Sequence, residues 1–148
     1  MIGEAPSANG DRTDPIGGRA ERVLCELAGF DDLGSRFLRT NLISDWPGPN
    51  GKGSAWPRDV ARERAMMQAS FLTGHRPAVV LLGKRVADAF GVDSEYFVWR
   101  EPDLIKAPHV VIPHPSGVNR ALNDPDVRRR TGEVLNEAVR KRRKKEAA

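Results

Sequence analysis

Ala78-Val79-Val80-Leu81-Leu82-Gly83 and, further along, His109-Val110-Val111-Ile112-Pro113 are the two stretches that most constrain the architecture. Each is an unbroken apolar run of strand length, rich in β-branched residues. A half-wet antiparallel strand alternates apolar and polar side chains, so these two predict strands covered on both faces. Working outward, Gly83 leads into a short helix over Arg85–Phe90 that Gly91 closes. Upstream, Pro57 marks the start of a long helix over about Asp59–Thr73, closed by Gly74. Before it, a loop around Trp46-Pro47-Gly48-Pro49 follows a second strand over Phe37–Ser44. Arg19–Ala28 reads as a helix ended by Gly29, with Val23, Leu24 and Leu27 on one face. Met1–Pro6 reads as a very short strand entering a loop that carries Gly10, Asp11, Pro15, Gly17 and Gly18. Downstream, Val127, Thr131, Val134, Leu135, Ala138 and Val139 recur at helical spacing, and Asn123 or Asp124 is placed to cap that helix. Strands alternating with helices predict a three-layer α/β/α sandwich around a roughly four-stranded parallel sheet.

The chain has 148 residues, 39% hydrophobic and 30% charged, which suits one domain around a single core. No apolar run approaches the roughly 20 residues that span a bilayer, and no basic leader with an apolar stretch opens the chain. The expectation is a cytoplasmic protein with no membrane association that acts as a monomer. One cysteine, Cys25, excludes an internal disulfide framework and any all-cysteine metal site. The net charge of +4 is gathered at the C-terminal end, in Arg128, Arg129, Arg130 and then Arg140, Lys141, Arg142, Arg143, Lys144 and Lys145. Such a helix end complements its own dipole; it also reads as an electrostatic footprint for a phosphate backbone.

In a parallel sheet, ligands sit at the carboxyl ends of the strands, beside the loops that follow. Three loops qualify: Glu4-Ala5-Pro6-Ser7-Ala8-Asn9-Gly10-Asp11, Thr40-Asn41 with Asp45-Trp46-Pro47 beyond, and His114-Pro115-Ser116-Gly117-Val118-Asn119-Arg120. The site is expected where they converge. Gly83-Lys84-Arg85 follows a strand but lacks the glycine-rich upstream half of a P-loop, so an ATPase is rejected. His75 and His109 have no acids or cysteines at ligand spacing, so no metal is expected.

Gly3-Glu4-Ala5-Pro6, Gly18-Arg19-Ala20, Thr40-Asn41-Leu42, the Val79–Lys84 strand and turn, and His114-Pro115-Ser116 lie in an order and spacing that resembles the uracil-DNA glycosylase superfamily. The likeness covers most of the chain. It is greatest to the bacterial and archaeal branch that opens with Gly-Glu-Ala-Pro. The resemblance implies hydrolysis of the N-glycosidic bond of uracil or a related pyrimidine in DNA, by base flipping and with no cofactor, as in base excision repair. Cleavage passes through an oxocarbenium-like sugar while negative charge grows on the departing base. His114 is similar in position to the family histidine that donates to the base oxygen nearest the sugar. Asn41 matches the asparagine that reads the pyrimidine edge, where one acceptor and two donors suit uracil. Ser116, Gly117, Val118, Asn119 and Arg120 resemble the loop that enters the duplex, with Val118 as wedge and Ser116 on a flanking phosphate.

Three positions depart from the family pattern. Where several branches place a water-positioning Asp or Asn, this chain has Ala5, as does the branch it most resembles. That task then falls to Glu4, Asn9 or Asp11, with Asp11 favoured. Where the family stacks a phenylalanine on the flipped base, this chain has Ile16, so Ala5, Pro6, Ile16 and Asn41 would form the base pocket, with Trp46 or Trp99 available to stack. Where the branch holds an iron–sulfur cluster on four cysteines, only Cys25 is present and Asp45 stands at an expected ligand position. Two other functions suit the same fold: a nucleic-acid-binding module without catalysis, and a transferase acting on a modified base.

Overall fold

A computed structural model describes residues 1–8, 13–50, 53–72, 78–116 and 119–147. Four strands, β1 (Ile2–Gly3), β2 (Thr40–Asn41), β5 (Val79–Leu82) and β6 (His109–Ile112), form a parallel sheet in the order β2-β1-β5-β6. A separate two-stranded hairpin pairs β3 (Pro49–Asn50) with β4 (Gly53–Ser54). Helices α1 (Gly18–Ala28), α2 (Arg58–Phe71), α3 (Lys84–Phe90) and α4 (Pro125–Glu146) complete the fold, with a 3-10 turn over Arg120–Asn123 before α4. Among the described residues no helix is long and apolar enough to cross a membrane.

The apolar runs of β5 and β6 explain the layering. Side chains alternate across a strand, so Val80, Leu82, Val110 and Ile112 face one core with Leu24 of α1 and Leu135 of α4. Val79, Leu81 and Val111 face the other core with Ala65 of α2 and Val86, Ala87 and Phe90 of α3. Helices thus cover both faces of a parallel α/β sheet. The register Val79↔His109 through Leu82↔Ile112 keeps every residue of the two strands buried.

Strands β1 and β2 are shorter than their sequence suggests. Of Met1–Pro6 only Ile2–Gly3 is a strand; beyond it Glu4 still accepts from the Ile43 N–H, and Pro6 has no N–H with which pairing could continue. Phe37–Ser44 contributes only Thr40–Asn41, because its sole neighbour is the short β1 and Phe37 turns back to bond the Leu33 carbonyl. Helix α2 begins at Arg58 and ends at Phe71; the expected stop at Gly74 and the lone His75 lie outside the described residues. The hairpin occupies a stretch that reads as irregular loop. Asp124 caps α4, accepting from the N–H groups of Asp126 and Val127.

Helices α1 and α4 approach most closely at Gly132. A Cβ there would run into the Leu27 carbonyl, and one turn on, Asn136 Nδ2 donates to the Ala28 carbonyl at 2.9 Å. Gly132→Ala gains about 1 kcal/mol of helix propensity, but it must push one backbone off another, which costs more. The expected net loss is about 1–3 kcal/mol, or roughly 2–4 °C of Tm per kcal/mol in a thermal melt. A Tm equal to or above wild type would mean that the two helices part freely.

Candidate active site

The strand order reverses between β1 and β5, since β2 lies outside β1 and β6 outside β5. That reversal opens a crevice at the carboxyl ends of the two central strands, the place where open α/β sheets take ligands.

Two glycines floor it. A Cβ on Gly3, the last residue of β1, would meet Asn41 Oδ1 at 2.5 Å and Ile16 Cγ1 at 3.0 Å. A Cβ on Gly83, just past β5, would meet His114 Cβ at 3.1 Å and Glu4 Oε1 at 3.3 Å. Bare backbone at these two positions lets Asn41, Ile16, Glu4 and His114 close over the strand ends. Of the three loops expected to converge, the described residues bring Asn41 beside Gly3, and Glu4 and His114 beside Gly83 in the turn after β5.

Each side chain is held differently. The carbonyl of Asn41 accepts from Gln68 Nε2 at 3.2 Å. The side-chain amide of Asn41 is half-buried and bonds no described residue, so it is free to meet a ligand. Ile16 is buried at φ 62°, a left-handed conformation that a β-branched residue adopts only under constraint. Such strain, of order 1–3 kcal/mol, clusters at ligand sites. His114 is half-buried behind the buried Pro113. Burial pushes its imidazole below the usual histidine range; Glu4 pulls it up and Arg85 pushes it further down. The imidazole is therefore neutral around pH 7.

The loop after β6 is pinned by Asn119. Its Nδ2 donates to the His114 carbonyl at 3.1 Å, and its Oδ1 accepts from the Ala121 N–H at 3.0 Å, capping the 3-10 turn. Both ends of the Asn119 side-chain amide are thus bonded within its own loop, where they tie the His114 carbonyl to the start of the 3-10 turn. Arg120 is exposed and Ser116 half-buried. Ala5 and Pro6 are half-buried in the loop after β1. Asn9, Asp11, Gly117 and Val118 lie outside the described residues.

Three residues join the site without a sequence signal that pointed there. Arg85 NH1 lies 3.5 Å from Glu4 Oε2. Tyr96 pairs with Val111 through an isolated bridge and packs under Lys84 Nζ at 5.4 Å. Burial, then the Glu4 charge, raises its phenol above the ordinary value, so it stays a donor. Gln68 bonds the Asn41 backbone, while its Oε1 is buried with no hydrogen-bond partner among the described residues.

Other expectations move away from the crevice. Trp99 packs into the α1–α4 core with Lys141 Nζ 4.7 Å from its ring centroid. Its neighbour Arg100 pairs with His109 at the amino end of β6, so Trp99 lies at the wrong end of the sheet to stack on a base. Trp46 remains 39% exposed in the loop after β2. The basic helix also points away. Following β6, α4 runs back toward the amino ends of the strands, where Arg142 NH1 bonds the Arg36 carbonyl at 3.3 Å. Arg128 and Arg129 pair with Glu26, Asp126 and Glu133, and Lys141 with Glu137. Three cations of that footprint thus have acidic partners among the described residues, and its last turns lie at the amino ends of the strands, away from the crevice.

His109 is buried with Nδ1 3.1 Å from the Ala107 carbonyl, a structural bond. A four-cysteine iron–sulfur cluster does not fit this chain. Its one cysteine, Cys25, sits in α1, where burial raises its thiol pKa and keeps it protonated. Compared with protein-family models, curated proteins and solved structures, the chain matches none.

Proposed function

We propose that the chain is a DNA glycosylase, related in fold to the uracil-DNA glycosylase superfamily, that hydrolyses the bond between deoxyribose and uracil or a related pyrimidine. The observation that carries this reading is an asparagine amide with no described partner beside Gly3, at the end of β1, and a half-buried histidine beside Gly83, just past the adjacent strand β5. Asn41 offers one acceptor and two donors, which match the ring N–H and adjacent carbonyl of uracil. Cytosine would leave one of these groups buried and unpaired, at about 1–3 kcal/mol.

The chemistry follows from the charge that develops. As the bond between C1′ and the ring nitrogen breaks, its electron pair moves onto the base and spreads to the carbonyl oxygens. His114 donates to the oxygen nearest the sugar, and a neutral imidazole does so through its own N–H without first taking up a proton. The sugar left behind is positive, and the Glu4 carboxylate beside Gly83 opposes that charge. Water adds to C1′ and gives up a proton to a carboxylate, Glu4 or Asp11. Ile16 supplies apolar contact where a ring would stack. The flipped base arrives at the cost of a few kcal/mol of lost pairing and stacking.

The test is a cleavage assay on single- and double-stranded oligonucleotides carrying uracil, hydroxymethyluracil, hypoxanthine or no lesion. Abasic product from uracil is expected, and Asn41→Ala should lower it roughly tenfold or more, the worth of one to two hydrogen bonds. No product from any base, by protein that still binds the oligonucleotide, would overturn the hydrolase and leave the binding module or the transferase.

A further inference from the structure

Arg85 faces two ways. One side of its guanidinium meets Glu4 in the crevice; the other lies 5.9 Å from the ring centroid of Trp56, in a neighbouring groove of about 530 Å³. The groove runs between the first turns of α2 and the flank of α3. Its polar lining is Asn50, Arg58, Arg62, Arg85 and Asp88 among the described residues. Three guanidiniums therefore face one carboxylate.

This charge is placed against the stability of its own helix. Arg58 and Arg62 fall in the first two turns of α2, at the positive end of the helix dipole. They are four residues apart on one face, so they also repel each other. Both are exposed, and neither forms an ion pair with a described residue. On α4, by comparison, Arg128, Arg129 and Lys141 have acidic partners, while Arg140 and Arg143, which have none among the described residues, lie near the C-terminal end, where the helix dipole favours them. An anion bridging Arg58, Arg62 and Arg85 would remove both penalties together, and guanidiniums match phosphate oxygens in paired hydrogen bonds.

We propose that this groove is a phosphate site, holding one phosphodiester of the DNA strand close to the nucleotide whose base enters the crevice. Trp56 is its wall and Arg85 the residue shared by the two sites. That the phosphate belongs to DNA rests on the glycosylase reading; the phosphate site itself rests on the groove. It also places positive charge nearer the crevice than the C-terminal tail does.

The experiment is binding of a labelled, uracil-free single-stranded oligonucleotide over a series of salt concentrations. It compares wild type, Arg58→Gln/Arg62→Gln, and an Arg140→Gln/Arg143→Gln control on the tail, with melting curves to verify folding. The groove variant should bind about tenfold more weakly at low salt. Its slope of log K against log salt should shrink by about 0.7 for each single-strand phosphate that is no longer neutralised. The tail control should keep the wild-type slope. Wild-type affinity and slope in the groove variant would overturn the site, whatever the excision assay shows. Lowered affinity and slope in a protein whose wild type excises no base would overturn the glycosylase reading and leave the groove standing. Inorganic phosphate is the second probe. If it raises the Tm of wild type but not of the groove variant, while oligonucleotide binding is unchanged, the site takes free phosphate and the strand assignment falls.

Discussion

His114→Ala is expected, on the glycosylase proposal, to lower uracil excision by about 10²–10³-fold, the loss seen when one preorganised donor to a developing oxyanion is removed. The side chain meets the requirements for such a donor. It sits just past the carboxyl end of β6, half-buried, and its loop is fixed by the Asn119 bond to its own carbonyl. The mechanism needs no imidazolium, and burial opposes one. The rate that depends on this group is therefore expected to hold from alkaline pH down through about 6.5, the ordinary histidine value. It should fall only once the lowered pKa is reached. A rate that instead rises as pH drops below about 6.5 would make the charged form the donor and defeat the neutral-histidine mechanism.

The same shift has a consequence for stability, and its sign is fixed. The folded pKa lies below the unfolded one, so between the two the unfolded chain binds the extra proton. Stability from this group is complete above about pH 6.5 and is lost as pH falls through the folded pKa. His114→Ala lacks that window. Its melting temperature should lose less than the wild type's on moving from pH 7 to acid.

How much of this is legible in the sequence differs by residue. Strands β5 and β6 are plain because they bury both faces, leaving unbroken apolar runs no helix of that length requires. Strand β2 reads too long because strand length is set by the neighbour, and β1 offers it only two residues. Asn41 and His114 can be found because each lies at or just past the end of a strand. Arg85 reads in sequence only as half of a P-loop, although the same reasoning about strand ends places the turn after β5 at the site. Tyr96 gives no periodic signal; it is the one tyrosine in the chain and reaches the crevice through a single bridge to Val111. Where the basic tail lies relative to the crevice is not legible in the sequence, because a tally of charges carries no direction. A helix that follows a parallel strand must run back along it, and α4, at 22 residues, carries its last turns roughly 33 Å from its start. Ile16 at positive φ is unreadable, since nothing in its type or spacing announces a left-handed isoleucine.

Gly83→Ala should cost about 2–4 kcal/mol of stability and most of the excision activity as well. Gly83 sits at φ 91°, ψ 160°, a region reserved for glycine, where any Cβ costs about 1–3 kcal/mol through the backbone alone. The added methyl would then lie 3.1 Å from His114 Cβ and 3.3 Å from Glu4 Oε1. Both approaches are tighter than ordinary packing, and the histidine's is with the stem of the side chain, so it cannot be relieved by turning the ring. Two responses are open to the chain. If Gly83 moves, the Gly83 N–H loses its 2.8 Å bond to the Ile112 carbonyl, and β5 and β6 separate at their carboxyl ends. If His114 moves instead, the imidazole shifts by a few tenths of an ångström, and a misplacement approaching 1 Å can cost about 10²-fold in rate. The two are separated by measuring Tm together with single-turnover excision well below the melting transition. A lowered Tm, by roughly 4–16 °C at 2–4 °C per kcal/mol, with a slowed chemical step is the expected result. A folded variant that excises uracil at the wild-type rate would show that His114 and Glu4 do not need the space beside Gly83, and would remove the crevice from the mechanism.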